Sequence, residues 1–190
     1  MPRAFVAIDI DEVIRQRLVA AQQQLAATGA QLKLVEPENI HVTMKFLGDV
    51  PNDKIGAVAD ALRAAAGGAQ PFDMTVRGIG VFPNLRYMRV IWSGVADGRD
   101  IVIAIQRNID RELQKLGFPP ERDFVPHLTL ARVKTAKRKE QLAASIKEMG
   151  NMEFGVTRAQ AVELKQSTLT SKGPVYSTLA RIELGRSHET

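Results

Sequence analysis

The sequence predicts a mixed α/β fold of the α+β type, built as one two-lobed domain. Strand-like and helix-like runs alternate along the whole chain, and they fall into two comparable sets that divide near residue 86. Apolar residues make up 45% and charged residues 25% of the 190 positions, which is an ordinary globular balance. A chain of this length buries roughly 70% of its unfolded surface, so neither metal nor disulfide is needed to hold it together. No Gly/Ser/Pro-rich linker separates the sets. One domain spanning 1–190 therefore fits better than two independent ones, with approximate lobes 1–86 and 87–190 and room for strand exchange between them.

Residues 3–10 read as the first strand, because Phe5 and Ala7 alternate with Val6 and Ile8. Asp11 stands at an N-cap position ahead of a helical run over 12–28, which Gly29 stops. Residues 39–47 form a second strand. Strict alternation puts Ile40, Val42, Met44 and Phe46 on one face and His41, Thr43 and Lys45 on the other. Pro51 opens a helix over 51–66 that ends at Gly67-Gly68. Strands at 72–81 and 87–92 flank a hairpin loop at 82–86. A third helix over 100–116 carries a stripe of Ile101, Ile105, Ile109 and Leu113. After a proline-containing loop at 117–126 come a strand at 127–134 and a helix at 137–149. Closing strands follow at 154–166 and 175–184, with the turn triplet Lys172-Gly173-Pro174 between them. Gly78-Ile79-Gly80 lacks the third glycine of a dinucleotide fingerprint and reads as a bulge.

Composition excludes several chemistries. Without cysteine there is no disulfide scaffold, thiolate zinc site, iron–sulfur cluster or cysteine nucleophile. Lys and Arg number 26 against 21 Asp and Glu, a net charge of +5 compatible with a polyanionic partner. The apolar opening of residues 4–8 stops at Asp9, short of a signal-peptide core, and no run approaches the roughly 20 apolar residues a membrane span needs. A cytoplasmic domain with no membrane partner is expected, with residues 187–190, His188 among them, as a frayed tail.

The most informative feature is a matched pair of tetrads, His41-Val42-Thr43-Met44 and His127-Leu128-Thr129-Leu130. Thr fills 10 of 190 positions, so two of the three histidines finding Thr at +2 by chance has odds of about 1 in 100. On a strand, side chains two apart share a face, so each tetrad aims an imidazole and a hydroxyl the same way. Displacement at a phosphodiester needs such parts. Water is deprotonated on one side of phosphorus while the departing oxygen is protonated on the other. Two imidazoles with ordinary pKa near 6.5 divide those tasks at neutral pH. Thr hydroxyls donate to the non-bridging oxygens. Metal chemistry fits less well: two histidines and hydroxyls are poor ligands, and Asp49, Glu121 and Asp123 show no metal spacing. No metal and no cofactor is expected.

The tetrads, with residues 130–134 extending the second, closely resemble the two-histidine (2H) phosphoesterases. Within them the chain is similar to the RNA 2′,3′-cyclic phosphodiesterase family, historically called 2′–5′ RNA ligases. The likeness also covers residues 3–8, Gly80-Val81-Phe82-Pro83 with Arg89-Val90-Ile91-Trp92, and Ser167-x-Leu169 with Gly173-Pro174-x-Tyr176. It implies a bilobal fold in which two antiparallel sheets face a central cleft, with helices outside. It implies metal-independent opening of a terminal 2′,3′-cyclic phosphate to a 2′-phosphomonoester, with His41 as proton donor and His127 as proton acceptor. The reverse reaction would form a 2′–5′ link without ATP, in keeping with the missing phosphate-binding loop and the missing nucleotidyl-lysine motif around Asp97-Gly98. The partners implied are RNA ends bearing 2′,3′-cyclic phosphate, tRNA fragments among them, bound by a monomer.

Arg132 matches the family's arginine five residues after the second histidine, and a cation there offsets phosphate charge. Strict alternation, however, turns it away from His127, so it reaches the site only if the strand bends or ends early. Phe5 and Tyr176 are candidates for stacking on a base, with core packing the competing role for Phe5. Arg132, Lys134, Lys137, Arg138 and Lys139 form the densest basic run, a candidate for steering an RNA backbone. Two other functions remain open at this level: a 2H enzyme acting on a 2′–5′ oligonucleotide or an ADP-ribose cyclic phosphate, and a non-catalytic RNA-binding module.

Overall fold

A computed structural model describes residues 1–185 of the chain, so the expectations for His188 and the tail lie outside the described residues. Nine strands and four helices follow one another in the order β1 (Arg3–Ile8), α1 (Glu12–Ala26), β2 (Leu32–Leu34), β3 (Val42–Asp49), α2 (Ile55–Ala66), β4 (Phe72–Asn84), β5 (Tyr87–Val95), α3 (Arg99–Gln114), β6 (His127–Val133), α4 (Lys139–Glu148), β7 (Glu153–Ala159), β8 (Ala161–Thr170) and β9 (Gly173–Glu183). Short 3₁₀ turns precede β3 and α2. No helix among the described residues is long and apolar enough to cross a membrane.

All strand pairs are antiparallel, and the sheet runs β7-β4-β5-β6-β3-β1-β8-β9 with β2 pairing β6 off that path. The two expected sheets are thus halves of one nine-stranded sheet, curled into a half-barrel. They join where β3 meets β6, through the single residue pair Val42↔Leu128. The halves interleave along the sequence. One contains β1, β3, β8 and β9, packed against α2 and α3; the other contains β2, β4, β5, β6 and β7, packed against α1 and α4. A boundary at residue 86 therefore does not separate them.

Three local readings need correction. The strand expected over 154–166 breaks at Gln160, where the chain leaves the β4 edge and crosses to pair with β1. The crossing, Arg158-Ala159-Gln160-Ala161, contains no Gly or Pro, so no turn signal marks it. The buried stripe of α3 is Val102, Ile105, Ile109 and Leu113, while Ile101 is 44% exposed. Each four-residue step overshoots a 3.6-residue turn by about 40°, which rotates Ile101 out of the stripe. β2 is too short to register as a period, and its pairing with β6 supplies what local sequence does not.

Candidate active site

Val42 and Leu128 are both fully buried and face each other across the junction of the halves. Their neighbours on each strand must point to the opposite face. Extending that register by one residue sets His41 across from Thr129 and Thr43 across from His127. Both tetrads therefore present imidazole and hydroxyl on the same side of the sheet, and core packing behind them fixes that side: a one-residue slip would expose Val42, Met44, Leu128 and Leu130, all 0% exposed.

Beyond the threonines the alternation breaks in the same way on both strands. Against β1, Thr43 pairs with Ala7 and Lys45 with Val6, leaving Met44 as a bulge. Against β5, Thr129 pairs with Trp92 and Ala131 with Ile91, leaving Leu130 as a bulge. Each bulge keeps two consecutive residues on the core side and returns the next to the site face. Lys45 thereby turns away from the histidines and bonds Asp110 Oδ1 of α3 and the Pro119 carbonyl (2.7 Å). Phe46 and Arg132, each five residues after its histidine, come round to the site. The expected grouping of Phe46 with the core face and Lys45 with the site face is thus inverted, because strict alternation cannot anticipate a bulge.

His41 is 7% exposed and stacks on Phe5 with ring centroids 5.1 Å apart. Its Nε2 is hydrogen-bonded to Thr43 Oγ1 at 3.0 Å, and its buried Nδ1 has no partner among the described residues. Burial, then the positive charges of Lys165 and Arg15, push the imidazole down to about 3 against a smaller upward pull from Glu163. Lys165 is itself held between Glu163 (3.2 Å) and Asp9 (3.4 Å). His127 donates from Nδ1 to the Val125 carbonyl at 2.7 Å, which leaves Nε2 to exchange a proton. The ring sits edge-on to Phe82, with centroids 5.2 Å apart.

A cavity of about 230 Å³ opens at the junction. His41, Thr43, Thr129, Arg132 and Tyr176 line it, together with Phe46 and Lys172. His127 is not among the lining residues; it stands two positions before Thr129 on the same face. Tyr176 is half-buried, and burial raises its hydroxyl pKa. Phe5 does not reach the cavity. It is 3% exposed, packed between His41 and Tyr176 (4.7 Å), so it supports the imidazole and has no free face for a base. Among the described residues no three His, Asp or Glu side chains cluster at metal-binding spacing.

The LigT-like phosphoesterase family model matches residues 8–92 and 94–176, and each segment contains one of the tetrads just placed. The chain belongs to this family. It is 45% identical to the RNA 2′,3′-cyclic phosphodiesterase of Methanothermobacter thermautotrophicus over 177 residues, covering 93% of this chain and 96% of that one. It is 39% identical to the protein of the same name from Methanocaldococcus jannaschii, covering 93% and 98%. Its structure superposes on the crystal structure of TT0787 of Thermus thermophilus with a TM-score of 0.80 and 28% identity, over 98% of this chain and all of that one.

Sequence reasoning missed several parts of this LigT-like site. Phe46 was hidden by its bulge, although it is 71% exposed for so large an apolar side chain. Asn39 donates from Nδ2 to the Pro174 carbonyl (3.0 Å), tying the turn before His41 to the β8–β9 hairpin that walls the cavity. Gln22, 2% exposed on α1, donates to the carbonyls of Val35 and of the bulged Leu130, both at 2.8 Å. Only a polar residue facing inward on a helix could have signalled that bond.

Proposed function

We propose that this LigT-like chain hydrolyses terminal 2′,3′-cyclic phosphates of RNA to 2′-phosphomonoesters, with His41 and His127 as its acid–base pair. The observation that carries the reading is the meeting of the two tetrads at one junction, with His41, both threonines and Arg132 lining one cavity. In the step, water attacks phosphorus and the P–O3′ bond breaks. His127 takes the water proton through Nε2, and His41 delivers a proton to O3′. Each transfer contributes on the order of 10²–10⁴ in rate. Thr43 and Thr129 donate to the non-bridging oxygens, and Arg132 offsets their charge. Tyr176 and Phe46 offer aromatic surface to the terminal base. With a 5′-hydroxyl in place of water, the same groups form P–O5′ as P–O3′ breaks, which joins the strands through a 2′–5′ link and leaves a 3′-hydroxyl.

The names of the M. thermautotrophicus and M. jannaschii relatives support the RNA substrate. tRNA fragments with cyclic-phosphate ends fall within this substrate class. Both tetrads belong to the same chain, so the proposed reaction needs no second copy and the protein acts as a monomer, and the absence of cysteine suits the reducing cytoplasm. The test is hydrolysis of a 2′,3′-cyclic nucleotide and of an RNA ending in one, in excess chelator, with products identified by ³¹P NMR. A 2′-phosphate formed at an undiminished rate is expected. A 3′-phosphate product, or loss of activity in chelator, contradicts the mechanism.

A further inference from the structure

A second and larger groove, about 680 Å³, adjoins the catalytic cavity and shares Arg132 with it. Its walls come from segments far apart in sequence: the β4–β5 hairpin contributes Arg86, Tyr87 and Arg89, while the end of β6 and the start of α4 contribute Lys134 and Lys139. Five cations line it and no carboxylate does. All five are exposed, and among the described residues none has an acidic partner within salt-bridge distance. A surface that gathers positive charge and leaves it unneutralised is suited to an extended polyanion.

Two features select a single-stranded nucleic acid. Tyr87 is 58% exposed, and the Arg89 guanidinium lies 4.7 Å from its ring centroid, so that a planar cation and an aromatic face sit together where a base can stack. The hairpin that presents them is ordered: Asn84 Oδ1 accepts from the backbone N–H groups of Arg86 and Tyr87 at 2.9 and 3.0 Å. Register places Val90 beside Arg132, so this wall continues directly into the catalytic face.

We propose that this groove holds the RNA strand upstream of the terminal nucleotide, with Arg86, Arg89, Lys134 and Lys139 on its phosphates and Tyr87 under a base. The proposal rests on the phosphodiesterase reading for the position of the strand's end. It makes the enzyme a reader of polynucleotide ends, with free cyclic mononucleotides as poor substrates.

The experiment measures anisotropy of a labelled RNA hexamer ending in a 2′-phosphate, between 50 and 200 mM salt, beside hydrolysis of a 2′,3′-cyclic mononucleotide. Five phosphate contacts predict a slope of log Kd on log salt of about 3.5, falling to about 0.7 when Arg86, Arg89, Lys134 and Lys139 are all replaced by Ala. That variant, exposed at every changed position and with an unchanged Tm, should bind the hexamer at least tenfold more weakly and hydrolyse the mononucleotide as before. Tyr87→Ala should weaken binding without altering the slope. An unchanged affinity in the fourfold variant overturns the proposal, as does equal binding of a poly-glutamate of matched charge. A wild-type protein that shows the predicted binding but hydrolyses neither the mononucleotide nor an RNA ending in a 2′,3′-cyclic phosphate overturns the phosphodiesterase reading and leaves the groove standing.

Discussion

At the scale of single residues, the charge state of His41 decides how the site works. Burial, with Lys165 and Arg15 behind it, lowers its pKa to about 3, so the ring of the free protein is neutral throughout the physiological range. A proton donor must be charged when the leaving oxygen departs. A phosphodiester seated in the cavity adds a negative charge beside the ring and opposes the two cations, which moves the pKa upward. NMR titration should therefore find the His41 ring titrating near 3 in the free protein and well above that with a nucleoside 2′-phosphate bound. A ring that stays low in the complex would exchange the two roles, making His41 the acceptor and His127 the donor. The tetrads announced which residues meet, because His and Thr two apart on a strand is a local pattern. The depressed pKa was not legible, since it comes first from a burial that local pattern does not show and then from Lys165 and Arg15, distant in sequence.

At the scale of elements, the two bulges make the site from otherwise ordinary strands. Without the extra residue at Leu130, Arg132 would face the core side; without Met44, Phe46 would do so and Lys45 would crowd the histidines. The Leu130 carbonyl, displaced from the ladder, is taken up by the Val35 N–H (2.9 Å) and by Gln22. Gln22→Leu leaves buried acceptors short of a donor and should cost about 1–3 kcal/mol in urea unfolding. It should also lower kcat/KM on a cyclic nucleotide through the loosened Arg132. Unchanged stability and activity would show that the bulge holds without α1. Helices and strands were readable from periodicity, as was the need for β6 to bend if Arg132 is to act. Where it bends was not, because a bulge is set by pairing with β5. Of the two roles weighed for Phe5, the structure supports packing: its register opposite Phe46 puts it on the site side, but His41 and Tyr176 cover it.

At the scale of the whole molecule, the duplication seen in sequence becomes a junction between two half-sheets that touch through one residue pair. Each half contributes a tetrad, a bulge on the tetrad's strand and an aromatic ring packed against its histidine, Phe5 for His41 and Phe82 for His127, with Tyr176 a second ring beside His41. The halves are not successive pieces of chain, since β8 and β9 return to join β1 and β3. That return is invisible to periodicity, which reports what an element is and not which edge it joins. It does place β9, and so Tyr176 and the Gly173-Pro174 turn, over the first histidine. The central claim is that imidazoles from both halves act together on one phosphate. It is tested most directly by kcat/KM for a 2′,3′-cyclic nucleotide, in chelator, with His41→Ala, His127→Ala and the double variant. Each single change should lower the value by at least about a hundredfold, and the double variant should lose much less than the product of the two. Near-normal turnover in either single variant would contradict the account.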